Sequence, residues 1–202
     1  MSEYTKTIEQ YPNIDFVGNK PSKDRSMFLL EAYNIHPHNY STDHLERYKK
    51  VYTWNSKLYD TLRSFDINVV QVPNFPLFDN YYFPDSYMSW NNKSDICLIC
   101  RDRPKQSCEF DISHKRVEVF NALEGLEKHC FGKIPYCGEY YKGRIGDKEE
   151  DTYPSSKAKL NVLDKYKFNL CFENCYHTAY SYDYITEKIT DCFRAGIVPV
   201  YW

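Results

Sequence analysis

The segment from Tyr166 to Trp202, YKFNLCFENCYHTAYSYDYITEKITDCFRAGIVPVYW, constrains this chain more than any other. Lys167–Phe172 is an apolar run of strand length that ends in Glu173-Asn174, and a polar loop follows. A helix is expected to begin near Asp183, a suitable N-cap, with Ile185, Ile189, Cys192 and Phe193 as its buried stripe and Gly196 as its stop. Ile197–Trp202 reads as the next strand, its Pro199 marking an edge or a bulge. Strand, helix and strand in that order predict a parallel sheet, which receives ligands at the carboxyl ends of its strands. A helix N-terminus leaves N–H groups unpaired and carries a partial positive charge, and Lys188 in the first turn adds a full one. An anionic diphosphate suits such a place.

The rest of the chain supports the same alternation. Ile14–Val17, closed by Gly18, reads as a strand, as do Ser26–Glu31, Val51–Trp54, Ile67–Val72 and Asp95–Cys100. Helices are expected over residues 42–50, Ser56–Arg63 and Ala158–Tyr166. A longer one is expected over Ser113–Lys128, where Val117, Phe120, Leu123 and Leu126 recur at three-residue steps and Ser113 is the N-cap. Between Pro73 and Lys93 the chain turns aromatic and proline-rich without periodicity, which reads as a connection between domains.

The 202 residues carry a net charge of −2, which argues against a broad nucleic-acid surface. There is neither a signal-like start nor an apolar run of membrane-spanning length. As written the chain reads as cytoplasmic, with a membrane or Golgi setting if an anchor precedes it. Eight cysteines raise the question of zinc. The one C-x-x-C, Cys97 and Cys100, lies inside an apolar strand and lacks a second pair, so buried free thiols are the better reading. His36 and His38 flank Pro37 without an acidic partner at metal-ligand spacing.

Read as a series, Tyr166-Lys167-Phe168, Phe172-Glu173-Asn174, Tyr184-Ile185-Thr186-Glu187-Lys188 and Val198-Pro199-Val200-Tyr201-Trp202 resemble the donor-binding core of glycosyltransferase family 10, the α1,3/α1,4-fucosyltransferases. Upstream and more weakly, Asp15-Phe16-Val17-Gly18, Phe28-Leu29-Leu30-Glu31, Tyr52-Thr53-Trp54-Asn55 and Lys115-Arg116 are also similar to landmarks of that family. The resemblance implies a GT-B-like α/β fold of two Rossmann-like domains facing a cleft, both incomplete. Residues 1–72 would form the acceptor side, 73–94 the connection, and 95–202 the GDP-fucose-binding side. Family members continue past Trp202 with further helices, and little sequence precedes Asp15, which implies a partial catalytic region.

It further implies an inverting transfer of fucose from GDP-fucose to a hydroxyl of an acceptor glycan. Glu31 would be the general base, and Arg116, Asn174, Tyr184, Glu187 and Lys188 the donor-binding residues. No Asp-x-Asp occurs, which fits a reaction without a metal or other cofactor. Taken singly, each residue has a plainer reading. Glu31 can be a solvated carboxylate at a strand end, Arg116 a solvated helix residue, and Glu187 a favourable first-turn charge. Asn174 can be a turn former and Tyr184 a residue packing on the preceding loop. Lys188 is the exception, since a first-turn lysine opposes the helix dipole unless an anion sits beside it. A non-catalytic nucleotide-sugar-binding fragment stays open as the alternative.

Overall fold

The computed structural model describes residues 13–16, 18–29, 33, 36–72, 83–101, 111–112, 114–133, 135–145, 157–176 and 182–202. Contacts divide the chain into two units, Met1–Asn74 with Asn174–Tyr184, and Phe75–Glu173 with Ile185–Trp202. Among the described residues each unit is built on its own four-stranded sheet, and every strand pair is parallel. Among the described residues no helix is long and apolar enough to cross a membrane.

The first unit sets β1 (Ile14–Asp15), β2 (Ser26–Phe28), β3 (Lys50–Thr53) and β4 (Val69–Gln71) side by side in chain order. The helix expected over 42–50 is shorter: α1 covers only Thr42–Leu45, and Lys50 already belongs to β3. Helix α2, Ser56–Ser64, starts where Asn55 caps it by accepting a bond from the Leu58 N–H at 2.9 Å. Buried Asp15 accepts from the N–H groups of Gly18 and Lys20 and from the Tyr48 hydroxyl, so one carboxylate closes the turn after β1. Burial, followed by that hydrogen bond to Asp15, pushes the Tyr48 phenol well above its ordinary pKa.

In the second unit the sheet order is β6-β5-β7-β8, with β5 Ser94–Arg101, β6 Lys128–Lys133, β7 Tyr166–Leu170 and β8 Val198–Val200. Helices α3 (Lys115–Ala122), α4 (Lys157–Leu163) and α5 (Glu187–Arg194) alternate with these strands. Side chains of β5 alternate between two cores. Ile96 and Leu98 pack with Phe120, Cys130 and Phe172, while Cys97 packs with Leu160, Leu163, Cys192 and Ile197. A strand covered on both faces reads as one unbroken apolar run, as residues 96–100 do. Three positions apart, Cys97 and Cys100 address opposite faces and cannot grip one ion. Seven cysteines are free, Cys108 lies outside the described residues, and among the described residues no group of His, Cys, Asp or Glu could hold a metal.

Two further expectations need correction. The helix expected over Ser113–Lys128 ends at Ala122, and β6 begins at Lys128; Ser113 lies outside the described residues. Gly125, at φ +70, turns the chain, and the Lys128 ammonium donates to the carbonyls of Phe120, Asn121 and Leu123, capping the helix from outside. The final helix starts at Glu187 rather than near Asp183, which is left-handed at φ 65. Thr186 is its N-cap, and Ile185 and Phe193 are exposed where a buried stripe was expected. Asp191 and Cys192 are the buried ones, Asp191 being neutralised by Lys159 at 2.7 Å.

Gly132 sits at the carboxyl end of β6 with φ +106, where a Cβ would lie 2.1 Å from the Cys100 carbonyl oxygen. Gly132→Ala is therefore expected to cost about 1–3 kcal/mol of stability from backbone strain. Urea unfolding would measure it, and an unchanged midpoint would mean that β5 and β6 do not approach so closely.

Candidate functional site

The order β6-β5-β7-β8 reverses direction between β5 and β7. The chain leaves β5 toward β6 on one side, and later strands add on the other. At such a switch point the connections from neighbouring strands diverge and leave a crevice at the carboxyl ends, the usual ligand position of open parallel sheets. Two cations of the second unit meet the chain just beyond β7. Arg116, in the first turn of α3 and buried, donates through Nε to the Phe172 carbonyl at 3.0 Å. Lys188, in the first turn of α5, donates through Nζ to Oε2 of Glu173 at 2.9 Å. Arg116 and Lys188 are thus anchored on consecutive residues.

Glu173 is the centre of this arrangement, although the sequence reading assigned it no role. It is 3% exposed, and its carboxylate also receives the Thr186 N–H at 3.0 Å, the Thr186 hydroxyl at 2.8 Å and the Tyr201 hydroxyl at 2.8 Å. Burial first, and the Glu173 charge second, raise the Tyr201 phenol well above its ordinary pKa, so it remains a donor. Lys188 Nζ also donates to Thr186 Oγ1 at 2.8 Å and lies 3.6 Å from Glu187 Oε1. Burial works to raise the Glu187 pKa, but the charges of Lys188 and Lys159 outweigh it and hold that carboxyl below its ordinary value. Glu187 therefore stays an acceptor, suited to hydroxyl groups. The only local signal for Glu173 is a carboxylate closing an apolar strand, and its partners are brought to it by the fold.

Of the residues singled out from sequence, Arg116, Glu187 and Lys188 lie together in the second unit. Asn174 and Tyr184 are grouped with the first unit and are buried there, Tyr184 packing on Trp54 with ring centroids 4.9 Å apart. Glu31 lies outside the described residues. Beneath α5, Cys192 and Cys171 are buried with their sulfurs 3.9 Å apart.

A doubly wound parallel unit with two cations and a helix N-terminus at its switch point is an arrangement suited to a phosphate-bearing ligand. Residues 107–202 match the family described as glycosyltransferase family 10 (fucosyltransferase) C-term. It is 48% identical over 46 residues to the alpha-(1,3)-fucosyltransferase FucT of Helicobacter pylori, covering 23% of this chain and 9% of that protein. It is 35% identical over 88 residues to 4-galactosyl-N-acetylglucosaminide 3-alpha-L-fucosyltransferase 9 of Homo sapiens, covering 43% of this chain and 19% of that protein. The matched regions thus span about a tenth to a fifth of these relatives' lengths. A crystal structure of an alpha1,3-fucosyltransferase is similar at a TM-score of 0.37 and 23% identity, over 57% of this chain and 26% of that one.

Proposed function

We propose that the chain is part of an inverting fucosyltransferase, with residues 95–202 on the donor side and 1–72 on the acceptor side. The observation that carries this reading is the anchoring of Arg116 and Lys188 on Phe172 and Glu173 at the switch point, within the family-matched region. In this reading the diphosphate of GDP-fucose lies against Arg116, Lys188 and the start of α5. Glu187 accepts from donor hydroxyls, and Asn174 and Tyr184 complete donor recognition. The acceptor oxygen attacks the anomeric carbon while Glu31 takes its proton, and the bond to the diphosphate breaks to release GDP. Charge that develops on the leaving group is met by the fixed cations, so no metal is assigned a part.

Calorimetric titration with GDP-fucose, GDP and UDP tests the donor half. Binding of the guanine nucleotides in preference to UDP supports it, and equal binding of UDP overturns it. Glu31→Ala is expected to leave GDP-fucose affinity within about threefold and to slow transfer by about 10²–10⁴, the range for loss of a general base. Equal losses in binding and turnover would remove Glu31 from that role. A second reading is nucleotide-sugar binding without turnover. Guanine-nucleotide binding with no transfer to any glycan hydroxyl would establish it.

A further inference from the structure

We infer that Glu173 is a positioning residue: its buried carboxylate sets the direction of the Lys188 ammonium and touches no substrate itself. The inference rests on the donor-site reading above and deepens it. A carboxylate offers about four lone-pair positions. Glu173 meets four donors: the Thr186 N–H, the Thr186 hydroxyl, the Tyr201 hydroxyl and Lys188 Nζ. The two distances from Thr186 Oγ1 to the carboxylate oxygens, 2.8 and 2.9 Å, share a single proton. Saturated and 3% exposed, Glu173 has no capacity left for a ligand hydroxyl.

The same count constrains Lys188. With its proton given to Glu173, Thr186 Oγ1 is an acceptor for Lys188 Nζ at 2.8 Å. Two of the three ammonium protons are then committed, to Oε2 of Glu173 and to Oγ1 of Thr186. Tetrahedral geometry fixes the third. The other carboxylate paired with Nζ, Glu187 through Oε1, is 3.6 Å away, beyond hydrogen-bond length, and does not commit that proton. An unrestrained lysine spreads over many rotamers. This one presents a single N–H in one direction, as an electrostatic site organised before its ligand arrives requires. Glu173 follows β7 and Lys188 belongs to α5, so the carboxylate also ties together the two segments that the site is built from.

Glu173→Gln keeps the volume, removes the charge and turns an amide donor toward the ammonium or the threonine. The test is a double-mutant cycle on the full chain, using wild type, E173Q, K188A and the pair, with GDP as the calorimetric probe. E173Q is expected to weaken GDP binding about tenfold, and the pair no further than K188A alone, because without the ammonium Glu173 has nothing to aim. A merely structural role would instead multiply the two losses, and that result overturns the inference. So does wild-type affinity in E173Q. Should E173Q fail to fold, Thr186→Val removes the other hold on Nζ and is expected to give the same non-additive loss with K188A; additive losses there would be equally fatal. A folded wild-type chain that binds no GDP overturns the donor-site reading and this inference with it. GDP binding indifferent to E173Q overturns the inference alone.

Discussion

Lys188→Ala is expected to weaken GDP and GDP-fucose binding by about 2–3 kcal/mol, the value of a charge-assisted hydrogen bond at a partly buried site. That corresponds to about 30- to 150-fold in affinity. Lys188 is 19% exposed at its side chain, so water screens it little, and its charge stands at the first turn of α5 where the N-terminal partial charge already favours an anion. Arginine should not substitute. Its longer, planar guanidinium puts its donors in one plane, so the bonds to Glu173 and Thr186 and the outward N–H would not keep the tetrahedral directions of the ammonium. Calorimetry with GDP reads the effect, and a thermal melt beside it separates lost binding from lost fold. Unchanged affinity in a folded Lys188→Ala protein would place the diphosphate elsewhere.

Lys93→Met should destabilise the second unit by about 3–5 kcal/mol, the usual result of leaving one half of a buried ion pair behind. Lys93 and Asp164 are 3% and 8% exposed at their side chains. The ammonium donates to Asp164 Oδ1 at 2.8 Å and to the Asp164 carbonyl at 2.6 Å, and the same carboxylate accepts from the Met88 N–H at 2.9 Å. These bonds hold the chain entering β5 against the turn between α4 and β7. Typical domains are stable by only about 5–15 kcal/mol, so the loss should be plain in urea unfolding. The Lys157–Asp85 pair is the natural contrast. Its side chains are 53% and 63% exposed, and Lys157→Ala should leave the midpoint unmoved. If Lys93→Met behaved like that exposed control, the pair would not be buried as it stands here.

Several elements were legible because their signals are local. Short apolar runs and turn residues marked all but one of the described strands, and Gly196, expected as a stop, stands where helix α5 ends. Strand β6 was missed because its residues, KHCFGK, lack an apolar run and follow a helical pattern in register. What ends that helix is a lysine reaching back to three carbonyls, and no window of residues displays such a bond. The start of α5 was misplaced for a related reason. Asp183 and Thr186 are both acceptable caps, and the choice falls to Thr186 because Glu173, thirteen positions earlier in the chain, holds its N–H and hydroxyl.

By itself the sequence determined the alternation of strands and helices, and with it two parallel sheets, since side-chain period and turn chemistry act between near neighbours. It also determined the family resemblance, carried by the order of short motifs between Tyr166 and Trp202. Only the tertiary structure decided the sheet order β6-β5-β7-β8, and so where the switch point falls. Only there do Arg116 and Phe172, 56 positions apart, meet, and only there does Glu173 become a saturated carboxylate aiming a lysine. A hydrogen bond needs its two atoms within about 3 Å, and over such separations that proximity is set by the packing of whole strands rather than by any local preference.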